Sequence, residues 1–399
     1  MPPSKYSKSF TLIELLVVLA LIAILVAILV VILKPETFFA KARDTKRIGD
    51  LKNIEKMIEI LRATEFSFKE LKYASSNVVY ISLPDTSATC TNWLSQLPPL
   101  PSGWSYACSA TPTNVDGTGW IPIPFSQFPI LNVTELFIDP INEPPYYYTF
   151  VAGGSYKLAA KLEVNQLAAI NDGGIEPLIY EAGNDKRLPT PQSGLVGYWS
   201  FDEGQGTIAY DLSGYGNNGI LYKFNWTATS GWTTGKVGGA LIFDGSNDYV
   251  GTINTVDLAN KDFTMIAWVK TNTQKPSGDY AIFNQPGGTI CGGLHFNIRS
   301  DRPYYGLLGC DFGGSAYITA GEWYFFAFVN NNTNSVTDKI FINGSLDSQA
   351  IRNPYIGNPT QLRIGGGWYP TINGLIDEVR LYNRALSDAE IKALYDATK

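Results

Sequence analysis

The sequence predicts an α+β unit, one long N-terminal helix with a small antiparallel sheet, followed by an all-β jelly-roll sandwich. Three observations carry this prediction. Residues 10–33 form an almost unbroken apolar run. An amphipathic stretch follows to about residue 63. The last two hundred or so residues are short β-prone runs separated by Gly-, Asn- and Asp-rich turns. The predicted divisions are a leader at 1–9, the helix at 10–66, a globular head at 67–182, a linker at 183–193 and the sandwich at 194–399.

The helix comes first. From Phe10 to Leu33 every residue is apolar except Thr11 and Glu14. At roughly 1.5 Å per residue a helix of this length reaches about 36 Å, enough to cross a hydrocarbon core of about 30 Å. A secretory signal peptide would place small residues after the apolar run. Here Val30, Val31, Ile32 and Leu33 lead into Lys34 and Pro35, and the small and polar residues Ser7, Lys8 and Ser9 precede the run. Lys5 and Lys8 favour a cytoplasmic leader. An ionised carboxylate at Glu14 inside lipid costs about 2.5–3.5 kcal/mol by insertion scales, which makes it a functional residue in need of a partner. A cut between Ser9 and Phe10 would create a cationic amine four residues before Glu14, and a neighbouring subunit could bring its own amine to that acid.

The run KSFTLIELLVVLALIAIL resembles the class III signal of type IV pilins and pseudopilins. The resemblance implies cleavage between Ser9 and Phe10 by prepilin peptidase and methylation of Phe10. It also implies an assembly role for Glu14, the fifth residue after the cut. The family usually has Gly before the cut, where this chain has Ser9. The implied partners are prepilin peptidase, other pilin subunits and the bacterial inner membrane. The chain would cross that membrane once, with its C-terminal domains outside, and reach the cell surface on assembly.

Beyond Pro35, which removes a backbone donor and predicts a kink, Ile48, Leu51, Ile54, Ile58 and Leu61 recur on one helical face. FAKARDTKRIGDLKNI is similar to pseudopilins at the same place. In the head, Val78–Leu83 reads as a strand. Tyr146–Val151 and Tyr156–Leu162, separated by AGGS, read as a hairpin. Cys90 and Cys108 are expected to close a disulfide loop, as are Cys291 and Cys310. Four cysteines in two close pairs and only 17% charged residues fit an oxidising, extracellular setting. A net charge of −6 argues against a nucleic-acid partner. GNDKRLPTPQSG, at 183–194, has no apolar period and reads as a linker.

The C-terminal part opens with GLVGYWSFDEGQGTIAYDLSGYGNNGIL. It continues through GGALIFDGSNDYV, FTMIAWVKT, GEWYFFAFV and KIFINGSLD to INGLIDEVRLYNRALSDAEIKALYD. Ser387 and Glu390 form a capping-box signature for a final helix. In this order the motifs resemble the laminin-G-like, concanavalin-A-like jelly roll. The resemblance implies a recognition module for a surface glycan or protein, often with structural calcium. Asp202, Asp211, Asn217 and Asp377 are the calcium candidates, because turns rich in Asp and Asn offer hard oxygen ligands. The same residues also serve simple turns. Asp244, Asn247 and Asp248 read as a turn.

Trp232, Tyr280, Tyr304, Tyr305, Trp368 and Tyr369 are candidate sugar-stacking rings. His295, the only histidine, lies in the strand-like GLHFNI and reads as structural. There is no G-x-S-x-G elbow. The adjacent Asp377 and Glu378 would point to opposite faces of a strand. The expectation is therefore not an enzyme but a pilin-like subunit carrying a binding module. The alternative is a minor pseudopilin acting as scaffold in a secretion or DNA-uptake machine.

Overall fold

The computed structural model describes residues 11–399 except 34, 66, 67, 102, 189, 190, 276, 333–336 and 358. For 25–33, 35 and 71 it describes the backbone alone. Helix α1 (Leu12–Leu33) is followed by α2 (Pro35–Thr64). Every described side chain of α1 is exposed, with Leu12 at 83% and Ile13 at 71%. Among the described residues no helix is long and apolar enough to cross a membrane. On α2 the predicted stripe is the buried one. Leu51, Ile54, Ile58 and Leu61 are fully buried, and Ile48 packs at the edge of the same core.

That stripe lies on the head sheet of β1 (Val78–Pro84), β2 (Ser105–Ser109), β3 (Tyr148–Ala152), β4 (Tyr156–Lys161) and β5 (Ile179–Gly183), in the order β2-β1-β3-β4-β5. The predicted β3–β4 hairpin is present, with Tyr148 opposite Ala160 and Ala152 opposite Tyr156. One pairing departs from the expected antiparallel sheet: β1 and β2 run parallel. The chain between them crosses back through the loop that the Cys90–Cys108 disulfide closes. A short helix α3 (Gln166–Ile170) separates β4 from β5.

The sandwich begins with β6 (Leu195–Trp199), β7 (Ile208–Ala209), β8 (Gly219–Tyr222), β9 (Gly231–Thr234), β10 (Gly239–Asp244), β11 (Tyr249–Val256), β12 (Phe263–Thr271) and β13 (Asp279–Gln285). It continues with β14 (Leu294–Arg299), β15 (Arg302–Gly306), β16 (Phe312–Gly313), β17 (Tyr324–Asn330), β18 (Thr337–Ile342), β19 (Ser345–Ile351), β20 (Thr360–Ile364) and β21 (Asn373–Tyr382). One sheet has the order β19-β18-β17-β12-β21-β10-β9, with β6 also on β21. The other has the order β16-β15-β14-β13-β20-β11-β8-β7. Their inner faces interleave Phe263, Met265 and Val269 with Leu294, Phe296 and Ile298 in one core.

The outer face of the first sheet is covered as well. The final helix α4 (Asp388–Thr398) begins with the predicted capping box and lays Ile391 and Leu394 over Ile266, Trp268, Phe325 and Phe341. Ile175 and Leu178 of the head join this cluster. This is why β12 lacks a clean alternation: nearly every residue from Phe263 to Val269 is buried on one side or the other.

Head and sandwich meet through further contacts. Lys161 pairs with Glu390 at 3.4 Å, and the Tyr382 hydroxyl lies 3.4 Å from Glu176 Oε1. Tyr215 donates to the Pro99 carbonyl at 2.7 Å, and Gln192 Nε2 to the Tyr147 carbonyl at 2.5 Å. Pro191, Gln192 and Ser193 form a buried 3-10 turn between the two modules.

This burial gives the stability an unusual pH dependence. Burial pushes the carboxyls of Asp172, Glu176, Asp338 and Asp377 each up to about 7. The folded chain therefore binds these protons more tightly than the unfolded chain, whose carboxyls titrate near 4. Their contribution is fully present below that range and is lost as pH rises through 7. Glu390 works the other way. Burial, the largest single influence, would raise it, but the hydrogen bonds and charge of Arg384, the charge of Lys161 and the Ser387 N–H together outweigh burial and hold it at about 2. Its contribution is present above the ordinary carboxylate range and is lost as pH falls towards 2. The melting temperature should peak near pH 5 and be roughly 5–10 °C lower at pH 8.5. Calorimetry across pH 4–9 checks this, and a maximum at pH 8 or above would contradict it.

Candidate functional site

The predicted processing positions and the predicted assembly position fall differently. Ser9 and Phe10 lie outside the described residues. Glu14 lies in the first turn of α1 and closes a capping box that the sequence reading overlooked. Thr11 donates to Glu14 Oε2 from both its backbone N–H and its hydroxyl, each at 2.9 Å, while the Glu14 N–H donates to Thr11 Oγ1 at 3.3 Å. The T-x-x-E spelling at 11–14 was the available signal.

The calcium candidates occupy two turns. Asp202 Oδ1 accepts the Gly239 N–H at 2.6 Å. Asp377 Oδ2 accepts those of Lys236 and Val237 at 2.8 and 2.9 Å, so these two acids grip the β9–β10 hairpin. Asp211 accepts the N–H groups of Tyr198, Ser213 and Asn217 through both oxygens, and the Asn217 amide donates to the Val196 carbonyl at 2.8 Å. Among the described residues no group of three or more His, Cys, Asp and Glu is placed to hold a metal.

Asp377 and Glu378 do not simply alternate. Glu378 has a positive φ of 53° in a bulge of β21, where the register against β12 shifts. Buried, it accepts from the Tyr198 hydroxyl at 2.8 Å and pairs with Arg380 at 2.7 Å. Asp244 and Asp248 form the expected turn, with Asp244 Oδ1 accepting the Ser246 N–H and Asp248 Oδ2 the Asp244 N–H.

Three of the six candidate rings converge. Leu294, Phe296 and Ile298 of β14 enter the core, so His295, Asn297 and Arg299 stand on the outer face of the second sheet. Tyr369 stacks on His295 with ring centroids 4.4 Å apart and planes at 15°. Trp368 meets His295 edge-on at 6.2 Å, and Tyr304 lies alongside at 6.1 Å. Glycine makes room for this stack. A Cβ at Gly306, directly across from His295, would overlap the imidazole, and one at Gly293 would strike the Trp368 ring.

Charges at the edge of the cluster are paired. Arg299 binds Asp279 through two nitrogens at 2.6 and 3.1 Å and lies 3.6 Å from the Tyr304 ring centroid. Asp311 accepts from the Leu307 N–H at 2.8 Å and the Tyr304 hydroxyl at 3.1 Å, and one of its oxygens is 3.8 Å from His295 Nε2. Burial lowers the His295 imidazole below its ordinary value, so the ring is neutral at pH 7.

The Cys291–Cys310 disulfide, Cα atoms 5.3 Å apart, staples the two loops that flank β14 and β15. The other three candidate rings lie elsewhere. Tyr280 and Tyr305 are core residues, and Trp232 packs on Phe201 with its Nε1–H on the Gly206 carbonyl. Asn284, Asn297, Arg299, Asp279 and Asp311 escaped the sequence reading. The polar residue at every second position of LHFNIR was the signal for part of this face.

Comparison with known families finds two matches: the prokaryotic N-terminal methylation motif at residues 4–30, and the concanavalin A-like lectin/glucanases superfamily at residues 244–392. Comparison with curated proteins yields no match. Among solved structures the chain is similar to domain 4 of an extracellular arabinanase from Geobacillus stearothermophilus, solved with arabinotriose. Identity is 20%, coverage 51% of this chain and 98% of that one, and the TM-score 0.42. It is also similar to the binding domain of Paraclostridial Mosquitocidal Protein 1, at 16% identity, 51% and 52% coverage and TM-score 0.42. A Trypanosoma rangeli sialidase matches at 13% identity, 63% and 48% coverage and TM-score 0.39. The chain spans about half the length of these last two structures. The chain thus carries the N-terminal methylation motif of type IV prepilins ahead of a laminin-G-like, concanavalin A-like sandwich in its C-terminal half.

Proposed function

We propose that this chain is a low-copy, pilin-like subunit that displays its sandwich on a surface fibre as an adhesive, non-catalytic binding module. The observation that carries this reading is α1, an apolar helix whose described side chains pack on nothing within the chain, next to a processing motif. Such a surface needs a partner. Lipid supplies it before assembly, in a single pass through the inner membrane, and the helices of other subunits supply it afterwards. Prepilin peptidase cutting between Ser9 and Phe10 would release the amine that neutralises Glu14 of a neighbour. The glycan or protein ligand would then bind the sandwich at the distal end.

The test is to shear surface fibres and probe them for the chain. Glu14→Val should lower its amount in fibres by about tenfold or more while cleavage at Phe10, read by N-terminal sequencing, continues. Absence of the wild-type chain from fibres would favour the scaffolding pseudopilin instead. Calcium stays within the proposal, with Asp377 Oδ1, buried without a hydrogen-bond partner, as the free oxygen closest to that chemistry. An unchanged melting temperature in chelator would remove the ion.

A further inference from the structure

Beneath the Trp368–Tyr369 loop lies a polar floor whose hydrogen-bonding capacity is only partly used, His295 Nδ1 lying 3.3 Å from the Gly293 carbonyl. Asn284, His295 and Asn297 share the outer face of the second sheet, and all three are at most 1% exposed. His295 is the cross-strand partner of Asn284, and Asn297 lies two residues along the same strand. Asn284 donates to the Gly366 carbonyl at 2.8 Å, but its Oδ1 has no partner. Neither amide atom of Asn297 has one, nor does His295 Nε2. Buried polar groups are nearly always paired, so adjacent orphans on three side chains mark a place where a partner belongs. The cover is one loop: Tyr369 rests on the imidazole and Trp368 on Gly293. The loop leaves β20 through Gly365 and Gly367, both at positive φ, where only glycine turns without strain.

We propose that this floor is a binding site for a neutral saccharide, and that Tyr369 occupies the place of the sugar ring until a ligand displaces it. The proposal rests on the reading of the sandwich as the binding module. Each Asn offers donors and acceptors side by side, which suits vicinal hydroxyls. The ring faces of Trp368 and Tyr304 suit the C–H faces of a pyranose. Of the charges nearby, Arg299 pairs with Asp279, Asp311 accepts from Tyr304 and Leu307, and Arg363, across from Asn284, donates to the Gly367 carbonyl, so the orphaned groups of the floor itself are neutral amides and a neutral imidazole.

The single histidine makes a direct test simple. The full chain, labelled with 13C at histidine and held in a sugar-free detergent, gives one imidazole signal. Cellotetraose, mannotetraose, xylotetraose and chitotetraose are titrated in turn. At least one should move the His295 signal saturably. Asn297→Leu and Trp368→Ala should each weaken that response at least tenfold, and Trp232→Ala should leave it unchanged. Trp368 is partly exposed on a loop, so its variant keeps the test valid where Asn297→Leu fails to fold. No movement with any of the four sugars overturns the proposal, as does an undiminished response in both variants. A buried water satisfying Asn297 gives the first of these results. A chain found in sheared fibres but silent to all four sugars sinks this site alone. A chain absent from fibres that still moves the signal sinks the fibre reading and leaves the site.

Discussion

Arg47→Met should lower the stability of the head by about 3–5 kcal/mol, the largest single-residue effect expected in this part of the chain. Arg47 is fully buried on α2 and holds three acids at once. It bonds Asp139 through Nε and Nη2 at 2.7 and 3.0 Å, and Asp44 and Glu163 through Nη1 at 2.9 and 2.5 Å. Asp44 in turn accepts the N–H groups of Glu163, Val164 and Asn165, which fixes the end of β4 against the helix. Removing the cation leaves buried carboxylates facing one another, and that residue of unpaired charge sets the cost. Arg43→Ala is the control. Its side chain is about one third exposed and shares only Glu163, so a much smaller loss than for Arg47→Met is expected. Denaturant unfolding followed at both modules measures the two. Equal, small losses would mean that the network is not what joins helix and head.

Removal of residues 387–399 should abolish the soluble folded sandwich rather than trim it. Ile391 and Leu394 of α4 are fully buried against Ile266, Trp268, Phe325 and Phe341. The Trp268 Nε1–H donates to Thr398 Oγ1 at 2.8 Å. Burial of large apolar side chains is worth about 1.5–3 kcal/mol each, so uncovering this set costs more than a domain of ordinary stability can lose. It would also expose a broad apolar sheet face, and aggregation should follow. The point variant Leu394→Ala should fold with a loss of about 2–5 kcal/mol. Expression tests and thermal melts decide the matter. A truncated chain that remains monomeric with an unchanged melting temperature would show that the helix is dispensable.

Much of this architecture was legible in the chain. The apolar run, the stripe through Leu51, Ile54, Ile58 and Leu61, the β3–β4 hairpin and the Ser387 capping box all rest on local periodicity or local hydrogen bonding. Such features depend on neighbours a few residues away. The site was only partly legible. Trp368, Tyr369 and Tyr304 were named as rings without a common location, and Asn284 and Asn297 were not named at all. The alternation in LHFNIR puts Asn297 on one face of a strand, but nothing local shows that Asn284 of another strand lies on the same face beside it.

Sequence alone determined where the helix runs, that a methylation motif opens it, that both cysteine pairs lie close together, and that a β-sandwich follows. These are properties of covalent order and short-range pattern. Only the tertiary structure decided which three rings meet at His295, that β12 is buried on both faces, and that Asp202 and Asp377 grip one hairpin while Asp211 and Asn217 hold another turn. The physical reason is sequence distance. His295 and Tyr369 lie 74 positions apart by their numbers, and β12 is covered by a helix more than a hundred residues away. Contacts at that range follow from sheet order and register, which no local pattern encodes.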